Sequence, residues 1–260
     1  MFLWQVTKEQ YFTNMTNTKV DIMISVADDQ FSSKTGFNLI NILNDLGFET
    51  NYPLQQTSCG KEIYEMGDFQ TAKDMGESVM KQFSGGYSVV CTSSSWVAYI
   101  KKIFPKLYFN TGYHIKNQEF CKRVYDITDF LVNVCGISSL SNVFPHKVVF
   151  LDNCHTLNDY NLYNEPRTLL RNTKELELVE LPKDEQTTCC GLGSLNFASN
   201  FEAISTQLAR QKVEAILATG ADTVTSTDTA CLLHLKSYTL KNKIPLNFVH
   251  IIDILASKNV

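Results

Sequence analysis

The sequence Thr188-Cys189-Cys190-Gly191-Leu192-Gly193 joins two adjacent cysteines to a Gly-x-Gly turn. A hydrophobic core gains little from such a pair, because successive side chains of an extended segment point in opposite directions. Glycines adopt positive φ and let other groups approach the backbone closely, and thiolates are soft ligands for iron–sulfur clusters and zinc. The polar residues 183–186 before the pair indicate a loop. We therefore interpret this stretch as a loop that wraps a metal group.

Strand and helix patterns alternate on both sides of this loop. Apolar runs rich in branched residues indicate strands, and apolar residues three or four positions apart indicate helices. In the second half these patterns predict strands at 147–151, 176–181 and 222–226 and helices over 200–219 and 229–240, with an apolar tail at 248–255 that packs back on a sheet. In the first half they predict strands at 20–26, 48–52 and 87–91 and helices over 37–46, 69–83, 94–104 and 117–135.

The two halves show the same order of elements. Ser58-Cys59-Gly60 in the first half corresponds to Cys189-Cys190-Gly191 in the second. Alternation of strands and helices implies right-handed crossovers and mainly parallel sheets. We therefore predict an α/β fold of two pseudo-repeated modules, residues 19–140 and 145–260, each a mainly parallel sheet flanked by helices.

Four cysteines of the second half follow predicted strands: Cys154, Cys189, Cys190 and Cys231. Functional loops of parallel sheets lie at the carboxyl ends of the strands, which share one edge. We therefore expect these four sulfur atoms to converge in one pocket. His234 lies one helical turn after Cys231 and therefore on the same helix face. It is either a further ligand, a neighbour of the ligands, or a surface residue.

Composition and charge exclude several classes of protein. The chain has 260 residues, 44% of them hydrophobic, and a net charge of −4 with a pI near 5.7, which argues against a general nucleic-acid surface. No apolar run approaches the roughly 20 residues that cross a bilayer. Residues 1–8 are too short and too soon polar for a signal peptide. We expect a cytoplasmic protein, in which eight cysteines are metal ligands or buried thiols and not a disulfide framework.

Nucleotide-binding signatures are absent from the sequence. It contains no Gly-x-Gly-x-x-Gly after a strand and no Gly-Lys-Ser/Thr loop. No site for flavin, nicotinamide or nucleotide is evident. A redox function would therefore require that electrons be exchanged with a partner protein.

The motifs Asp152-Asn153-Cys154-His155, Thr188-Cys189-Cys190-Gly191-Leu192-Gly193 and Thr229-Ala230-Cys231-Leu232-Leu233-His234 resemble the cysteine-rich CCG-domain family. This family includes the cysteine-rich component of heterodisulfide reductase, glycolate oxidase iron–sulfur subunits and LutA-type lactate-utilisation proteins, and the resemblance is strongest to the last. It covers roughly residues 19–256 and is clearer in the second half. The resemblance implies two CCG modules, [4Fe-4S]-type clusters, and an oxidoreductase subunit that works with LutB-like and LutC-like partners in lactate oxidation.

The first half departs from the family pattern. The family's early cysteine falls at Val26, its cysteine pair at Ser58 and Cys59, and its late cysteine at Trp96, so that Cys59 alone retains a thiol. Cys91 is five residues before Trp96 and cannot be assumed to replace a ligand. We therefore expect one cluster, in the second half. The first half should be packed and metal-free, with Trp96 near Cys59 and Val26.

Several alternatives remain open at this point. The second-half cysteines could bind an iron–sulfur cluster, zinc or no metal, and Cys59 is either a site remnant or a buried thiol. The corresponding functions are an electron-transfer subunit of a LutA-like complex that oxidises lactate or a related 2-hydroxy acid, and a non-catalytic scaffold or a zinc or thiol redox sensor. Cys121 and Cys135 are expected to be packing residues. Arg210 and Lys212 are expected on a solvated helix face.

Overall fold

The computed structural model describes residues 18–258, without the side chain of Leu195. The strands in this range are β1 (Lys19–Met23), β2 (Glu49–Asn51), β3 (Ser88–Cys91), β4 (Val124–Asp126), β5 (Lys147–Phe150), β6 (Glu177–Val179), β7 (Thr223–Ser226) and β8 (Asn247–His250).

The helices of the first half are α1 (Val26–Phe31), α2 (Ser33–Asp45), α3 (Lys61–Glu65), α4 (Phe69–Gln82), α5 (Ser94–Lys102), α6 (Phe104–Leu107), α7 (His114–Lys122) and α8 (Ile127–Asp129). Those of the second half are α9 (Asn164–Arg171), α10 (Lys183–Thr187), α11 (Leu195–Asn200), α12 (Glu202–Ala218), α13 (Thr229–Lys241) and α14 (Ile251–Leu255). Two π-helical turns cover Phe130–Val134 and Thr156–Tyr160.

The strands form two four-stranded sheets with the same topology. The first has the order β2-β1-β3-β4 and the second β6-β5-β7-β8, and all pairs are parallel. In each sheet the second strand in chain order pairs with one edge of the first strand, and the third strand pairs with the other edge. Such a reversal opens a crevice at the carboxyl ends of the two central strands, where ligands of α/β folds bind. This architecture confirms the predicted α/β fold of two repeated, parallel modules.

The predicted helix over 117–135 is wrong. The structure divides this segment into α7, which ends at Lys122, the buried strand β4, and a second helical segment that begins at Ile127. Val124 fits the helical spacing of its apolar neighbours, but it is buried because it pairs with Val89 on β3. Helical periodicity and a three-residue buried strand cannot be distinguished on so short a segment.

The two halves share part of their hydrophobic core. One buried cluster combines Leu39 and Leu43 of α2 with Ile251 and Leu255 of α14. Asp253 reinforces this packing, because it accepts a hydrogen bond from Nδ2 of Asn38 on α2 (2.7 Å). Two further clusters lie within the first and the second half. The two proposed modules therefore pack as one body along this common core.

Polar contacts between the halves involve equivalent positions of the two modules. Thr229, the first residue of α13, donates from Oγ1 to Oδ1 of Asp28 (2.5 Å) in the first half. Ser94, the first residue of α5, lies 2.7 Å from Oγ1 of Thr156 in the second half. Both contacts join the start of a helix after a central strand to the opposite module, near the carboxyl ends of the strands. They close the two sheet edges onto each other and form the walls of a cleft.

Candidate metal centre

The four second-half cysteines line one cleft between the modules. Cys154 follows β5, Cys189 and Cys190 follow α10, and Cys231 lies in the first turn of α13 after β7. The cleft encloses about 580 Å³, including the space open to solvent. The structure therefore brings together the residues that the sequence analysis placed at one edge of the sheet.

The four thiols contact one another in the order Cys154, Cys189, Cys190, Cys231. Hydrogen bonds from the Cys154 and Cys190 thiols lower the pKa of Cys189 well below its ordinary value. The same contacts with Cys189, together with burial, raise the pKa of Cys154 and of Cys190. Cys189 is therefore the group's first thiolate, and its two neighbours are the proton donors that stabilise it.

The glycine turn aims backbone N–H groups at the same sulfur. Gly191 N–H donates to Sγ of Cys189 (3.4 Å), and the backbone of Gly193 also lowers the pKa of this thiol. Gly191 has φ +99°, and a Cβ there would lie 2.3 Å from the backbone oxygen of Ser205 on α12. Only glycine fits here for two reasons. Residues with a side chain are strained at this positive φ, and a Cβ would clash with the backbone of α12. The turn thus presses the cysteine pair against α12.

The turn after β5 is held by the side chain of Asn153. Its Oδ1 accepts hydrogen bonds from the N–H groups of His155 (2.9 Å) and Thr156 (3.1 Å), which fixes the backbone that follows Cys154. Its Nδ2 donates to Sγ of Cys231 (3.3 Å). One amide therefore connects the loops of two ligand candidates.

Cys231 is fixed by the N-terminus of its helix. Asp228 caps α13 and accepts a hydrogen bond from the N–H of Cys231 (3.2 Å). The other carboxylate oxygen of Asp228 accepts from Oγ of Ser93 (3.0 Å), which caps α5 in the first half. Asp and Ser are preferred helix caps because they satisfy free N–H groups of the first turn. Here the two caps also link the modules directly below the cleft.

A buried arginine supports the cysteine loops from behind. Arg167 on α9 makes a bidentate contact with Asp152 (2.9 and 2.7 Å), two residues before Cys154. Its Nε donates to Glu180 (3.0 Å), which directly follows β6 at the start of the segment that leads to the cysteine pair. Neither Arg167 nor Glu180 was among the site residues predicted from the sequence. Within α9, the residues next to Arg167 do not indicate that its guanidinium is buried.

The expectation that Lys212 lies on a solvated helix face is wrong. Its side chain is 1% exposed, and its Nζ donates to the backbone oxygen of Glu185. Arg210, two residues earlier, is 56% exposed and pairs with Glu214, as expected for a solvated position. α12 therefore turns one cation to solvent and the other toward the cysteine loop.

The two histidines near the site lie beside the cysteine set. His234 is 3.4 Å from Oγ of Ser205, and its Nε2 would lie 3.1 Å from a Cβ at Gly191, so it packs behind the turn. Burial lowers its pKa. His155 lines the cleft and faces two carboxylates, Glu65 of the first half (3.8 Å) and Asp159 (3.5 Å). His155 thus belongs to the rim that joins the halves.

In the first half, protein side chains fill the corresponding space. Cys59 and Trp96 are buried in one apolar cluster (0% and 3% exposed). The indole Nε1 of Trp96 donates to Glu62 (3.0 Å), and Oγ of Ser58 donates to the other oxygen of the same carboxylate (3.0 Å). Val26 is 41% exposed and lies outside the buried cluster. The expected neighbourhood of Trp96 thus includes Cys59, whereas Val26 faces outward at the start of α1.

The other cysteines are packing residues in this structure. Cys91 is fully buried on β3, and Cys121 packs on α7 with its thiol directed at the backbone oxygen of Ile100 (3.3 Å). Cys135 lies half-buried beside the shared core. Burial raises the pKa of Cys121 and of Cys135 to about 12. All eight cysteines lie within residues 18–258 and are unpaired, so no disulfide is present in this part of the chain.

The donor chemistry of the site suits a thiolate-bound group. Within residues 18–258, no group of three or more His, Cys, Asp or Glu side chains is placed so that it could hold a metal ion. The thiols instead share protons along a row, and backbone N–H groups point at the most acidic of them. Four soft ligands and N–H donors at sulfur match the needs of an anionic iron–sulfur cluster. Ligation would replace the S–H···S contacts and release the protons.

The length and apolarity of the described helices were compared with what a membrane span requires. None of the helices between residues 18 and 258 combines the length and the apolarity that crossing a bilayer requires.

A known protein family matches both halves of this chain. The family model of the cysteine-rich domain, CCG, matches residues 9–96 and 148–236. Lactate utilization protein A 1 of Bacillus mycoides (strain KBAB4) is 30% identical over 239 residues, which cover 91% of this chain and 96% of that protein. Lactate utilization protein A of Macrococcus caseolyticus (strain JCSC5402) is 29% identical over 91% of this chain and 96% of that protein.

A crystal structure of a hypothetical protein from Helicobacter pylori shares the fold, with a TM-score of 0.57 and 14% identity. It matches all of this chain, which spans 55% of that longer protein. Because the two segments matched by the family model cover more than half of the sequence, this chain belongs to the cysteine-rich CCG-domain family.

Proposed function

We propose that this chain is an iron–sulfur electron-transfer subunit of a LutA-type complex that oxidises lactate or a related 2-hydroxy acid. The convergence of Cys154, Cys189, Cys190 and Cys231 on one cleft carries the proposal. The relatives named lactate utilization protein A supply the substrate class. The chain itself would act with LutB-like and LutC-like partner subunits, in the cytoplasm, where thiols stay reduced.

The four cysteines would hold one [4Fe-4S]-type cluster as thiolates. When bound, such a cluster supplies a centre that takes up and releases single electrons. Cys189 would bind first, because its hydrogen bonds already favour the thiolate. The N–H groups of Gly191 and Gly193 would keep stabilising negative charge on that sulfur.

The two proposed modules have different tasks under this proposal. Module 145–260 contributes all four ligands. Module 19–140 contributes the opposite wall of the cleft, where Trp96 and Glu62 fill the space equivalent to the ligand positions. The first module would therefore carry no cluster and would support the second module or contact a partner protein.

A second candidate is a scaffold or a zinc or thiol redox sensor derived from the same family. It is favoured by the hydrogen-bonded row of thiols, which places Cys189 as a thiolate between two other thiols. Such an arrangement resembles a reactive thiol group, since a thiolate is the nucleophilic form of cysteine. His234 would then be a neighbour that tunes the thiols and not a ligand.

Metal analysis of the anaerobically purified protein distinguishes these functions. The proposal predicts a brown protein with about four irons per chain and an equal amount of acid-labile sulfide. Zinc in place of iron, or no metal, would support the second candidate, and about eight irons would mean that the first module also binds a cluster.

Cysteine variants test which thiols hold the metal. Cys190→Ser removes a soft ligand and should lose most of the bound iron and of the redox activity. Cys121→Ser is the matched control, because this buried thiol contacts Ile100 and Asn117, which do not line the cleft. Equal iron content in the two variants would refute the ligand assignment.

A further inference from the structure

Lys212 is a buried cation directly behind the cysteine loop. It lies on α12, the helix that Gly191 touches at Ser205 and Ala209. Lys212 follows Ala209 by three residues, so the two lie on the same face of the helix. Its side chain is 1% exposed, and its Nζ lies 3.8 Å from Oε2 of Glu185.

The contacts of Lys212 compensate its charge only in part. An ammonium has three N–H donors. In the described residues, Nζ donates one hydrogen bond, to the backbone oxygen of Glu185, and Oε2 of that residue has no hydrogen-bond partner. The other carboxylate oxygen accepts from Gln211 (2.7 Å). Burial of an ammonium costs several kcal/mol unless neighbouring groups offset it, so this position calls for a further negative partner.

The cysteine loop packs on the same face of α12, because Gly191 lies against Ala209, one helical turn before Lys212. Burial lowers the pKa of Lys212, whereas Glu185, the thiols of Cys190 and Cys189, and the carboxylate of Asp152 act on it in the opposite direction. A cysteine can become negatively charged when it binds a metal, because the ligand is the thiolate. The lysine therefore faces a site whose negative charge grows on ligation.

We propose that Lys212 is the positioning counter-cation of this site, which offsets the negative charge of the cysteine ligands and sets the reduction potential of the group they hold. The proposal rests on the proposed function. An added electron increases the negative charge in front of Lys212. A cation in a buried, weakly screened environment then favours the reduced state, so its removal lowers the potential. Glu185 has the opposite charge, and its neutralisation should raise the potential.

Two variants of opposite sign test this proposal on the anaerobically purified full-length chain. Lys212→Met removes the cation, and Glu185→Gln keeps the hydrogen bond to Gln211 while removing the nearby negative charge. Each midpoint potential is measured by titration with dithionite and followed by electron paramagnetic resonance. Dithionite dissociates to SO2•− radicals, each of which donates one electron to the site and is oxidised to sulfite. No bond to Lys212 forms or breaks. We expect the first variant to shift the oxidised-to-reduced equilibrium at least tenfold, which is 59 mV for one electron, and the second to shift it upward.

Control variants separate charge from structure. Lys212→Arg keeps the charge and should retain the wild-type potential. Arg210→Met removes an exposed cation of the same helix and should change nothing, because solvent screens it. An unchanged potential in Lys212→Met, or shifts of the same sign in both charge variants, would overturn the proposal. If Lys212→Met does not fold, an unchanged potential in Glu185→Gln is sufficient to overturn the proposal for Lys212. Absence of iron from the wild type would instead refute the proposed function.

Discussion

Replacing Arg167 by Met should destabilise the second module strongly. The guanidinium is fully buried and uses its NH groups on Asp152, on Glu180 and on the backbone oxygen of Tyr163. Met fills much of the same volume but offers no donor. The variant therefore leaves the Asp152 carboxylate, whose side chain is 1% exposed, buried without its partner.

The expected loss of stability depends on whether each carboxylate can be hydrated once Arg167 is replaced. Glu180 is 31% exposed, so solvent can hydrate it after the change. Asp152 has no such access, and the loss of one partner of a buried ion pair typically costs about 3–5 kcal/mol. We expect a decrease of this order in the free energy of unfolding. Cys154 should also become less well positioned, since Asp152 lies two residues before it.

Urea unfolding at neutral pH measures this loss from the shift in midpoint at constant slope. Arg171→Met is the matched control, because Arg171 contacts the same Glu180 (3.3 Å) but is 60% exposed. An exposed pair contributes at most about 1 kcal/mol. The double variant Arg167→Met/Asp152→Asn removes both charges and should recover part of the loss. Equal destabilisation by Arg167→Met and Arg171→Met would refute the reasoning.

Two further predictions concern pH and the glycine turn. Burial raises the pKa of Asp126 from 3.8 to about 6. The folded state therefore binds this proton more tightly than the unfolded state, and the contribution to stability falls as pH rises from about 4 to about 6. Asp126→Asn should flatten this part of the pH profile of urea unfolding and add up to about 3 kcal/mol at pH 7.5; an unchanged slope would contradict the assignment. Gly191→Ala should cost more stability than Gly67→Ala, because both residues have positive φ but a Cβ at Gly67 would meet no atom within 4 Å. Gly67→Ala should therefore show only backbone strain, about 1–3 kcal/mol, and equal losses would mean that the contact with α12 is unimportant.

The sequence was sufficient to predict where the cysteines meet. Cys154 and Cys231 each follow a central strand of one parallel sheet, and such strands end at the same edge. The cysteine pair follows the neighbouring strand β6 after a short helix, and the glycines let its loop fold back against α12. The order of strands and cysteines along the chain is enough for this prediction, because residues that follow neighbouring parallel strands lie close together in space.

The supporting cations were missed because no local pattern marks them. Lys and Arg are almost never fully buried unless they are paired, so a charged residue on a helix is assigned to solvent by default. The carboxylate partners of Arg167, and Glu185 as the partner of Lys212, lie 13 to 27 residues away in the sequence. Their pairing depends on how β6, α10 and α12 pack, which only the three-dimensional structure shows. Buried charge of this kind is thus the part of the site that composition and spacing predict least well.

The first module shows that the loop geometry does not depend on four thiols. Gly60 has φ +87°, and a Cβ there would lie 2.8 Å from the backbone oxygen of Ala72, as Gly191 does against Ser205 in the second module. The two modules therefore press equivalent turns against equivalent helices.

The residues at the ligand positions differ, and a carboxylate now joins them. Ser58 stands where the second module has Cys189, Trp96 stands where it has Cys231, and both donate to Glu62. Glu62 itself occupies the position of Gly193, whose backbone faces Cys189 in the second module. An anion thus connects these two positions in the first module, held by an indole N–H and a hydroxyl. Since the fold is kept by the glycine turn and the buried strands, the residues at these positions can vary between the modules without any change in topology, and the four converging thiols all belong to the second module.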